Sequence, residues 1–469
     1  MRKSFIGGGF LLLQCLQDLP FKPHQYQIET AHRILHQMDC RALIADEVGL
    51  GKTIEAGLVI KELVHQDKNR NILVLTPATL LHQWCDELYK KFDLNFWICR
   101  KGPWGWDYNF VIGSLDKAKR AEHREMLLSR FYDLVIVDEA HKLKNRETEN
   151  WKLVNDLKTR GLILLTATPL QNNLEEIYNL VSLVRPTLFR DYKSFLEYYQ
   201  LHPKALMAEL KDKLSDIMIR NLTRDQTEKK VQRRVQLIPI RLRPEEKQIY
   251  EALQELRGSF LRLTLTKEYC SSPSALYATL QNMGRDELLP LLEECPLPMK
   301  LYHLQAILQK HPGKILVFTE YMQTQFFIGR WLNELGINFI HFNGKLKRNQ
   351  KEYTKWLFQN KDYRVMICTD SGSQGLNFQF CNVIVNFDLP WNPMKVEQRI
   401  GRIDRLGQTA DEVYVYNFVL QDTVEEKIFH ILSSKIALFK ECIGELDNIL
   451  TGDEDTAENE KLLKSMLRL

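Results

Sequence analysis

A glycine-rich segment in the first part of the chain could bind phosphate groups. The run DEVGLGKT at 46–53 follows a short apolar stretch and precedes a helical pattern. Glycines let backbone N–H groups approach phosphates closely, and the positive end of a following helix favours an anion. Lys52 could reach the β- and γ-phosphates of a nucleotide, and Thr53 could ligate Mg²⁺. A strict phosphate-loop pattern has glycine where Asp46 stands, so a glycine-rich turn that caps a helix is the alternative interpretation.

Two acidic residues at the end of another apolar run could act on the same nucleotide. Asp138 and Glu139 open the sequence DEAH and follow the run LVIV at 134–137. A carboxylate at a strand end can hold a metal ion and its water shell, and its neighbour can orient and polarise an attacking water. A solvated acidic turn is the alternative, and the presence of a phosphate loop upstream favours the catalytic interpretation.

A pair of arginines near the end of the chain could complete such a site. Arg402 and Arg405 lie in QRIGRIDRLGQ at 398–408 and, three residues apart, would face one way on a helix. Guanidinium groups delivered to a γ-phosphate raise the hydrolysis rate by about 10³–10⁵ in characterised enzymes. An exposed basic helix that makes surface ion pairs is the alternative.

The elements that must position these residues follow from eight short apolar runs. Continuous Val, Ile and Leu runs of this length are typical of strands buried on both faces of a parallel sheet. They occupy 42–46, 71–77, 133–141, 161–168, 314–320, 364–370, 382–390 and 412–420. Helical patterns such as 54–66 and 324–336 lie between them. This alternation predicts α/β layers that bind ligands at the carboxyl ends of the strands.

The spacing of the runs predicts how the chain is divided. Its 469 residues are enough for about three domains. We expect an N-terminal α/β lobe at 1–185, a helical insertion at 186–299, a C-terminal α/β lobe at 300–420 and a helical tail at 421–469. The tail carries an acidic break at 451–460.

Composition excludes several classes of protein. A hydrophobic content of 44% and a charged content of 26% exclude wholesale disorder, and a net charge of +4 excludes a polycationic packaging protein. The nine cysteines form no CxxC pair, so neither a zinc ribbon nor a disulfide framework is indicated, and a reducing compartment is expected. The apolar start of the chain resembles a signal peptide but lacks a small-residue cleavage site. No apolar stretch elsewhere is long enough for a membrane span.

Basic residues are concentrated in the connecting region. The stretch 211–243 contains ten Lys and Arg residues against four Asp and Glu, and 344–351 is a second basic segment. Each could face a nucleic-acid duplex or could be a solvated helix face.

Taken in order, these motifs resemble those of the Swi/Snf-type ATPases of helicase superfamily two. The resemblance runs from about Phe21 to Leu420 and includes the Asp46 that a plain phosphate loop lacks. FKPHQYQ at 21–27 looks like the adenine-reading Q motif, with Gln25 as its glutamine. The variant DEVGLGKTIEAGL most resembles the bacterial branch that includes the RNA-polymerase-recycling ATPase. The resemblance implies two RecA-like lobes that close on ATP and Mg²⁺.

The resemblance also implies roles for individual residues. ATP binding falls to Gln25, Asp46, Glu47, Val48, Gly49, Leu50, Gly51, Lys52 and Thr53, and the metal to Thr53 and Asp138. Catalysis falls to Lys52, Asp138, Glu139, Arg402 and Arg405, and coupling to His141, Thr166, Thr168 and Gln398. Contacts with the nucleic-acid backbone fall to Thr76, Pro77, Thr319, Thr369 and Trp391.

The expected function is an ATP-dependent translocase on double-stranded DNA that remodels or displaces protein–DNA complexes. A strand-separating helicase and a nucleotide-gated scaffold subunit, for example in an antiviral complex, are the alternatives. The expected partners are duplex DNA, a DNA-bound complex such as RNA polymerase, and a separate targeting subunit. No membrane association is expected, and the expected location is the cytoplasm, in association with the nucleoid.

Overall fold

The structure is a computed structural model that describes residues 13–100, 102–201, 203–222, 231–370, 377–405, 407–444 and 449–451. It confirms the expected fold, because two parallel β-sheets flanked by helices follow one another along the chain. The strands are β1 Arg41–Ile44, β2 Ile72–Thr76, β3 Trp97–Ile98, β4 Phe110–Ser114, β5 Phe131–Asp138, β6 Lys158–Leu165, β7 Met218–Ile219, β8 Gln232–Ile240, β9 Ile315–Thr319, β10 Phe339–Phe342, β11 Val365–Thr369, β12 Val383–Asn386 and β13 Glu412–Leu420.

The helices are distributed over both halves of the chain and the region between them. Those before residue 220 are α1 Gln25–His36, α2 Lys52–Gln66, α3 Leu81–Phe92, α4 Leu115–Ala118, α5 Ala121–Ser129, α6 Glu149–Asp156, α7 Leu174–Val184, α8 Tyr192–Leu201 and α9 Pro203–Ser215. Those after residue 230 are α10 Pro244–Gln254, α11 Ser259–Ser271, α12 Pro273–Met283, α13 Leu289–Glu293, α14 Met299–Lys310, α15 Met322–Glu334, α16 Arg348–Asn360, α17 Pro393–Ile400 and α18 Val424–Cys442.

The first sheet brings the N-terminal motifs to one edge. Its seven strands have the order β3-β4-β2-β5-β6-β1-β7, and the paired strands run parallel. Every residue of β2 is buried, as expected for a strand covered on both faces. Because β5, β6 and β1 are neighbours, the segments that follow them lie side by side at the carboxyl edge.

The second sheet does the same for the C-terminal motifs. Its six strands have the order β10-β11-β9-β12-β13-β8 and are also parallel. All residues of β9, β11 and β12 are buried. Apolar runs predicted these strands because a strand buried on both faces needs no polar alternation.

Two strands of the connecting region join the sheets. β7 pairs with β1 through Leu43–Met218 and Ile44–Ile219, and β8 pairs with β13 along all nine of its residues. The chain divides into two compact units, 1–226 and 227–469, and each is described here by itself. Most of the rest of 186–299 is helical. The expected boundaries at 186 and 299 stay predictions.

The remaining expectations concern cysteines, membrane spans and the tail. All nine cysteines lie in the described part of the chain and are free thiols. None of the helices described above has the length and apolar content needed to cross a membrane. Helix α18 forms most of the described tail. Residues 1–12 of the apolar start and 452–460 of the acidic break lie outside the described residues.

Candidate nucleotide-binding site

The phosphate loop connects β1 to α2 and depends on two glycines. Gly49 and Gly51 have φ angles of 98° and 87°, in the left-handed region that glycine adopts without strain. A Cβ atom on Gly51 would lie 3.0 Å from the side-chain nitrogen of Gln27. Helix α2 begins at Lys52, so the first N–H groups of a 15-residue helix and the positive end of its dipole face the loop.

The ammonium group of Lys52 lies across its own loop. Its Nζ donates to the carbonyl oxygens of Asp46 at 2.8 Å and Glu47 at 3.0 Å. Surrounding protein lowers the pKa of Lys52, although the carboxylates of Asp46, Glu139 and other acidic residues act in the opposite direction. The side chains of Lys52 and Thr53 keep partial exposure. The loop therefore holds a positive charge beside the DEAH carboxylates, at an open position.

The Asp46 side chain is hydrogen-bonded to another part of the protein. Its fully buried carboxylate accepts hydrogen bonds from the Asn221 main-chain N–H at 2.8 Å and from Asn221 Nδ2 at 3.0 Å. Burial and Asp46 raise the pKa of the Glu55 carboxyl well above its usual range. Asp46 thus ties the loop to the segment after β7. The ATP-binding role of Asp46 stays a prediction, and the sequence did not single out Asn221.

The two glutamines of the Q motif lie in different surroundings, and adenine reading by Gln25 stays a prediction. Gln25 is exposed and donates to Glu29 at 3.1 Å. Gln27 is 4% exposed, and its Nε2 donates to the Leu50 carbonyl of the phosphate loop at 3.0 Å. Its Oε1 accepts from the His24 N–H at 3.0 Å. Two residues apart on α1, the two glutamines face different sides of the helix, and the inner one is Gln27.

The DEAH carboxylates follow the end of β5. Asp138 Oδ1 accepts from the Glu139 N–H at 2.8 Å, and its Oδ2 accepts from the indole Nε1–H of Trp84 at 2.7 Å. Burial and Glu139 raise the pKa of Asp138 to about 6, while Trp84 and Lys52 lower it. Glu139 has a φ of 50°, and its Oε2 lies 3.0 Å from His141 Nδ1. These contacts hold the Asp138 carboxylate in one orientation and keep the Glu139 carboxylate next to His141.

Two threonines of the segment LTATPLQNN at 165–173, here called motif III, link the ends of β6 and β1. Thr166 and Thr168 are 1% and 0% exposed. The Thr166 N–H donates to the Ile44 carbonyl at the end of β1 at 3.0 Å, and its hydroxyl accepts from the Thr168 N–H at 3.0 Å. The first bond joins the segment after β6 to the end of β1, just before the phosphate loop, and the coupling role of the two threonines stays a prediction.

A buried ion pair joins the DEAH segment to motif III. Lys144 Nζ lies 3.1 Å from Glu176 Oε2, and Glu176 Oε1 accepts from Asn172 Nδ2 at 2.6 Å. Burial lowers the pKa of Lys144 to about 8, and Glu176 opposes this. Lys144 follows the DEAH residues and Glu176 lies in α7, and no sequence pattern predicted their pairing.

The residues predicted to contact nucleic acid make internal contacts. Thr76 is fully buried, with its hydroxyl 3.4 Å from Asp138 Oδ2, and Pro77 is also buried. Thr319 is fully buried and donates to Asp388, while Thr369 is 4% exposed. Trp391 is half-buried, and Lys267 Nζ lies 5.4 Å from its ring centroid. Residues 371–376, which come shortly after Thr369, lie outside the described residues. The nucleic-acid contacts of all five residues stay predictions.

Arg402 and Arg405 of the segment QRIGRIDRLGQ at 398–408, here called motif VI, lie beyond the end of a helix. Helix α17 contains Gln398 and ends at Ile400, so the expectation that Arg402 and Arg405 share one helix face is wrong. Successive turns follow, with Arg402 N–H donating to the Arg399 carbonyl at 3.0 Å. Arg402 is 7% exposed, and Arg405 and Gln398 are half-buried. The turn, rather than helical spacing, sets where the two guanidinium groups lie.

Two further arginines, which sequence reasoning missed, hold motif VI in place. Arg399 is 2% exposed and donates to Asp370 at 2.7 Å. Arg233 of β8 donates to Glu397 at 3.0 Å and lies 2.7 Å from Asp404 Oδ2. Arg233 belongs to the basic stretch 211–243, and only 9% of its side chain is exposed. This member of the stretch is therefore an internal ion-pair partner and not part of a surface patch.

The chain matches two protein families over most of its length. The SNF2-related domain matches residues 26–284, and the helicase conserved C-terminal domain matches residues 299–407. The chain is 41% identical to the protein named "Uncharacterized ATP-dependent helicase YqhH" of Bacillus subtilis, over 92% of this chain and 81% of that protein.

More distant relatives are named as RNA polymerase-associated proteins. The RapA protein of Vibrio parahaemolyticus is 29% identical over 83% of this chain and 47% of its own length, so the chain spans about half of that relative. The solved SWI2/SNF2 ATPase core of Sulfolobus solfataricus in complex with dsDNA is 22% identical, covers 91% of this chain and has a TM-score of 0.45. From the family matches and the Bacillus relative, the chain belongs to the SNF2-related family of ATP-dependent helicases and translocases in helicase superfamily two.

Proposed function

We propose that this chain is a DNA-stimulated ATPase that moves along double-stranded DNA and remodels or displaces bound proteins. One observation carries the proposal: the phosphate loop after β1 and the DEAH acids at the end of β5 lie at the same edge of one parallel sheet, where the charges of Asp138 and Glu139 act on Lys52. A nucleotide triphosphate bound there meets backbone N–H groups, an ammonium and two carboxylates. This combination is suited to hydrolysis of the terminal phosphate.

The first unit would bind the nucleotide. Lys52 would exchange its bonds to the Asp46 and Glu47 carbonyls for bonds to the phosphates. The Thr53 hydroxyl and the Asp138 carboxylate are oxygen donors of the kind that Mg²⁺ prefers. Both residues belong to segments at the carboxyl edge of the first sheet, so their oxygen atoms fit a cation. Bound Mg²⁺ would neutralise phosphate charge.

The protein would add a base and, from its second unit, two cations. Glu139, in the turn that follows β5, would orient and polarise a water molecule. Arg402 and Arg405 would act as arginine fingers when the second unit closes on the nucleotide. Opening and closing with each ATP would move the two units along the DNA backbone, as the family resemblance implies. Phosphate contacts would supply affinity without reading sequence.

The experiment compares ATP hydrolysis with and without duplex DNA. The wild-type chain should hydrolyse ATP faster with DNA, and this stimulation should decline as salt rises because phosphate contacts release counterions. Lys52→Ala and Glu139→Gln should abolish hydrolysis while leaving passive DNA binding largely intact. If wild type with DNA hydrolyses no more ATP than Glu139→Gln, a nucleotide-gated scaffold replaces the motor.

A second pair of substrates separates translocation from strand separation. A translocase should displace a triplex-forming third strand from duplex DNA in the presence of ATP and leave a labelled fork paired. Clean unwinding of the fork would instead identify a strand-separating helicase.

The protein complex that is remodelled is a further part of the proposal. The RapA relatives are named for association with RNA polymerase, and we propose a DNA-bound complex of this kind, chosen with the help of a targeting subunit, in the nucleoid. Copurification of RNA polymerase subunits with the Glu139→Gln chain would support this. Reproducible recovery of a different DNA-bound complex would replace RNA polymerase as the target.

A further inference from the structure

Trp84 makes the shortest described hydrogen bond to the DEAH aspartate. Its indole Nε1–H donates to Asp138 Oδ2 at 2.7 Å, whereas the Thr76 hydroxyl lies 3.4 Å from the same oxygen. The other carboxylate oxygen accepts from the Glu139 N–H at 2.8 Å. Trp84 is 2% exposed, so water does not compete freely for the bond. The two donors fix the rotation of the carboxylate about its Cβ–Cγ bond.

Helix α3 holds this indole against a rigid support. Phe92, at the last position of α3, packs so closely on α2 that a Cβ atom on Gly57 would lie 2.3 Å from the Phe92 ring. Leu88 and Phe92 are both fully buried. Helix α3 is therefore locked at one end to the helix that opens at Lys52, and near its other end it holds Asp138.

We propose that Trp84 is a positioning residue for Asp138, which it orients toward the cation of the bound nucleotide. The proposal rests on the proposed function, in which Asp138 holds Mg²⁺. Because α3 follows β2 through a turn at residues 78–80, Trp84 also makes the orientation of Asp138 depend on where this segment lies. A shift of α3 relative to β5 changes the metal site without any contact between α3 and the nucleotide.

The test removes the donor and keeps an aromatic side chain. In Trp84→Phe the carboxylate loses its strongest neutral donor, and loss of such an outer contact weakens metal binding by 10- to 100-fold in characterised sites. We expect the Mg²⁺ concentration for half-maximal ATP hydrolysis to rise about 10-fold. Binding of a fluorescent, non-hydrolysable ATP analogue should weaken by a similar factor in Mg²⁺ and by less than about twofold in EDTA.

The same unit provides a matched control. Trp106 is fully buried, and its Nε1–H donates to His123 Nδ1 at 3.0 Å. Trp106→Phe thus removes an equivalent bond at a place that has no part in the proposed site. It should leave the Mg²⁺ dependence within about twofold of wild type.

A purely structural role of Trp84 predicts a different ranking of substitutions. Trp84→His is smaller and fits the apolar surroundings less well than Trp84→Phe, but it offers an N–H donor. A positioning role requires Trp84→His to bind the analogue with Mg²⁺ more tightly than Trp84→Phe does. Equal Mg²⁺ dependence of folded Trp84→Phe and wild type overturns the proposal, as does a better Mg²⁺ response of Phe than of His.

Two provisions keep the outcome interpretable. If Trp84→Phe does not fold, Trp84→Met, which also lacks the N–H donor, takes its place, and a wild-type Mg²⁺ dependence of that variant would overturn the proposal. If wild type binds nucleotide but does not hydrolyse it, the proposed function fails. The comparison of analogue binding in Mg²⁺ and EDTA still decides the role of Trp84.

Discussion

Single side chains decide which residues of a motif meet the nucleotide, as the Q motif illustrates. Gln27 bridges the His24 N–H and the Leu50 carbonyl, and it lies 3.0 Å from where a Cβ atom on Gly51 would be. Gln25 lies at the surface beside Glu29. Its Nε2 also donates to the Tyr26 hydroxyl at 3.3 Å, so Gln27 holds the phosphate loop against α1. We predict that this support contributes more to ATP binding and to the preference for adenine than Gln25 does, although the sequence motif assigns adenine reading to Gln25.

The prediction at this scale compares the two glutamines. Gln27→Ala should raise KM for ATP about 3- to 10-fold, the equivalent of one lost hydrogen bond, and should weaken the preference for ATP over GTP. Gln25→Ala should leave both within error. The measurement is steady-state hydrolysis with each nucleotide, accompanied by a thermal melt, since Gln27 also caps α1. A larger effect at Gln25 would support adenine reading by Gln25, as expected from the sequence motif.

Secondary-structure elements decide how the arginines of motif VI are held. Strand β8 is the edge strand of the second sheet, next to β13. Its Arg233 bridges Glu397 in α17 and Asp404 in the turn between Arg402 and Arg405. One guanidinium therefore fixes both helix α17 and the turn after it, which carries the proposed fingers.

We predict that Arg233→Lys lowers kcat more than it raises KM. A lysine keeps the charge but has no planar fork to bridge two carboxylates, so the turn gains freedom. A loss of about 10-fold in kcat is expected if the fingers move by a fraction of an ångström, with KM changed less than about twofold. Arg234→Lys is the control, because the Arg234 side chain is 39% exposed and pairs with Glu412. A wild-type kcat for Arg233→Lys would remove its positioning role.

Helix α18 is attached to the second sheet by a buried cluster of charges. Lys300 Nζ lies 2.6 Å from Glu425 and 3.3 Å from Asp388, and it donates to the Phe387 carbonyl at 2.7 Å. Burial raises the pKa of Glu425 from 4.5 to about 7; Lys300 lowers it and Asp388 raises it. Between these pH values the folded protein binds more protons at Glu425 than the unfolded chain does.

The stability from Glu425 is therefore complete below about pH 4.5 and is lost as pH rises through about 7. We predict that Glu425→Gln, which cannot ionise, has its largest deficit in Tm relative to wild type at pH 5.5 and a smaller deficit at pH 7.5. Lys300, Asp388 and Cys270 face Glu425 and are unchanged in both proteins. Glu441→Gln, exposed on the same helix, is the control. A difference in Tm between wild type and Glu425→Gln that is the same at both pH values would contradict this.

Patterns along the chain predicted the elements better than the contacts between them. Apolar runs marked the strands that are buried on both faces. The runs did not mark β3 and β7, which have only two residues each. They also did not mark β4, which contains Gly113, where a Cβ atom would lie 2.0 Å from the Trp106 ring. Motif matching located the phosphate loop and the DEAH acids. It could not reveal the Trp84–Asp138 bond, whose members are 54 residues apart, because such contacts depend on how the sheet orders its strands.

The whole molecule divides its chemistry between two units. Lys52, Asp138 and Glu139 belong to residues 1–226, whereas Arg402 and Arg405 belong to residues 227–469. Neither unit has both the phosphate loop and the arginines, so hydrolysis in the proposed mechanism requires both. Each unit is built on its own parallel sheet.

The final prediction is that both units of one active site belong to the same polypeptide. Lys52→Ala and Arg405→Ala chains damage different units, so a mixture contains undamaged copies of each. If every site is formed within one chain, all sites in the mixture stay defective, and hydrolysis should equal the average of the two single variants. If copies exchange units in a dimer, an equal mixture recovers about a quarter of wild-type activity. Titrating one variant into the other with saturating DNA distinguishes these outcomes, and any recovery that grows with protein concentration would overturn the single-chain site while leaving the roles of Lys52 and Arg405 intact.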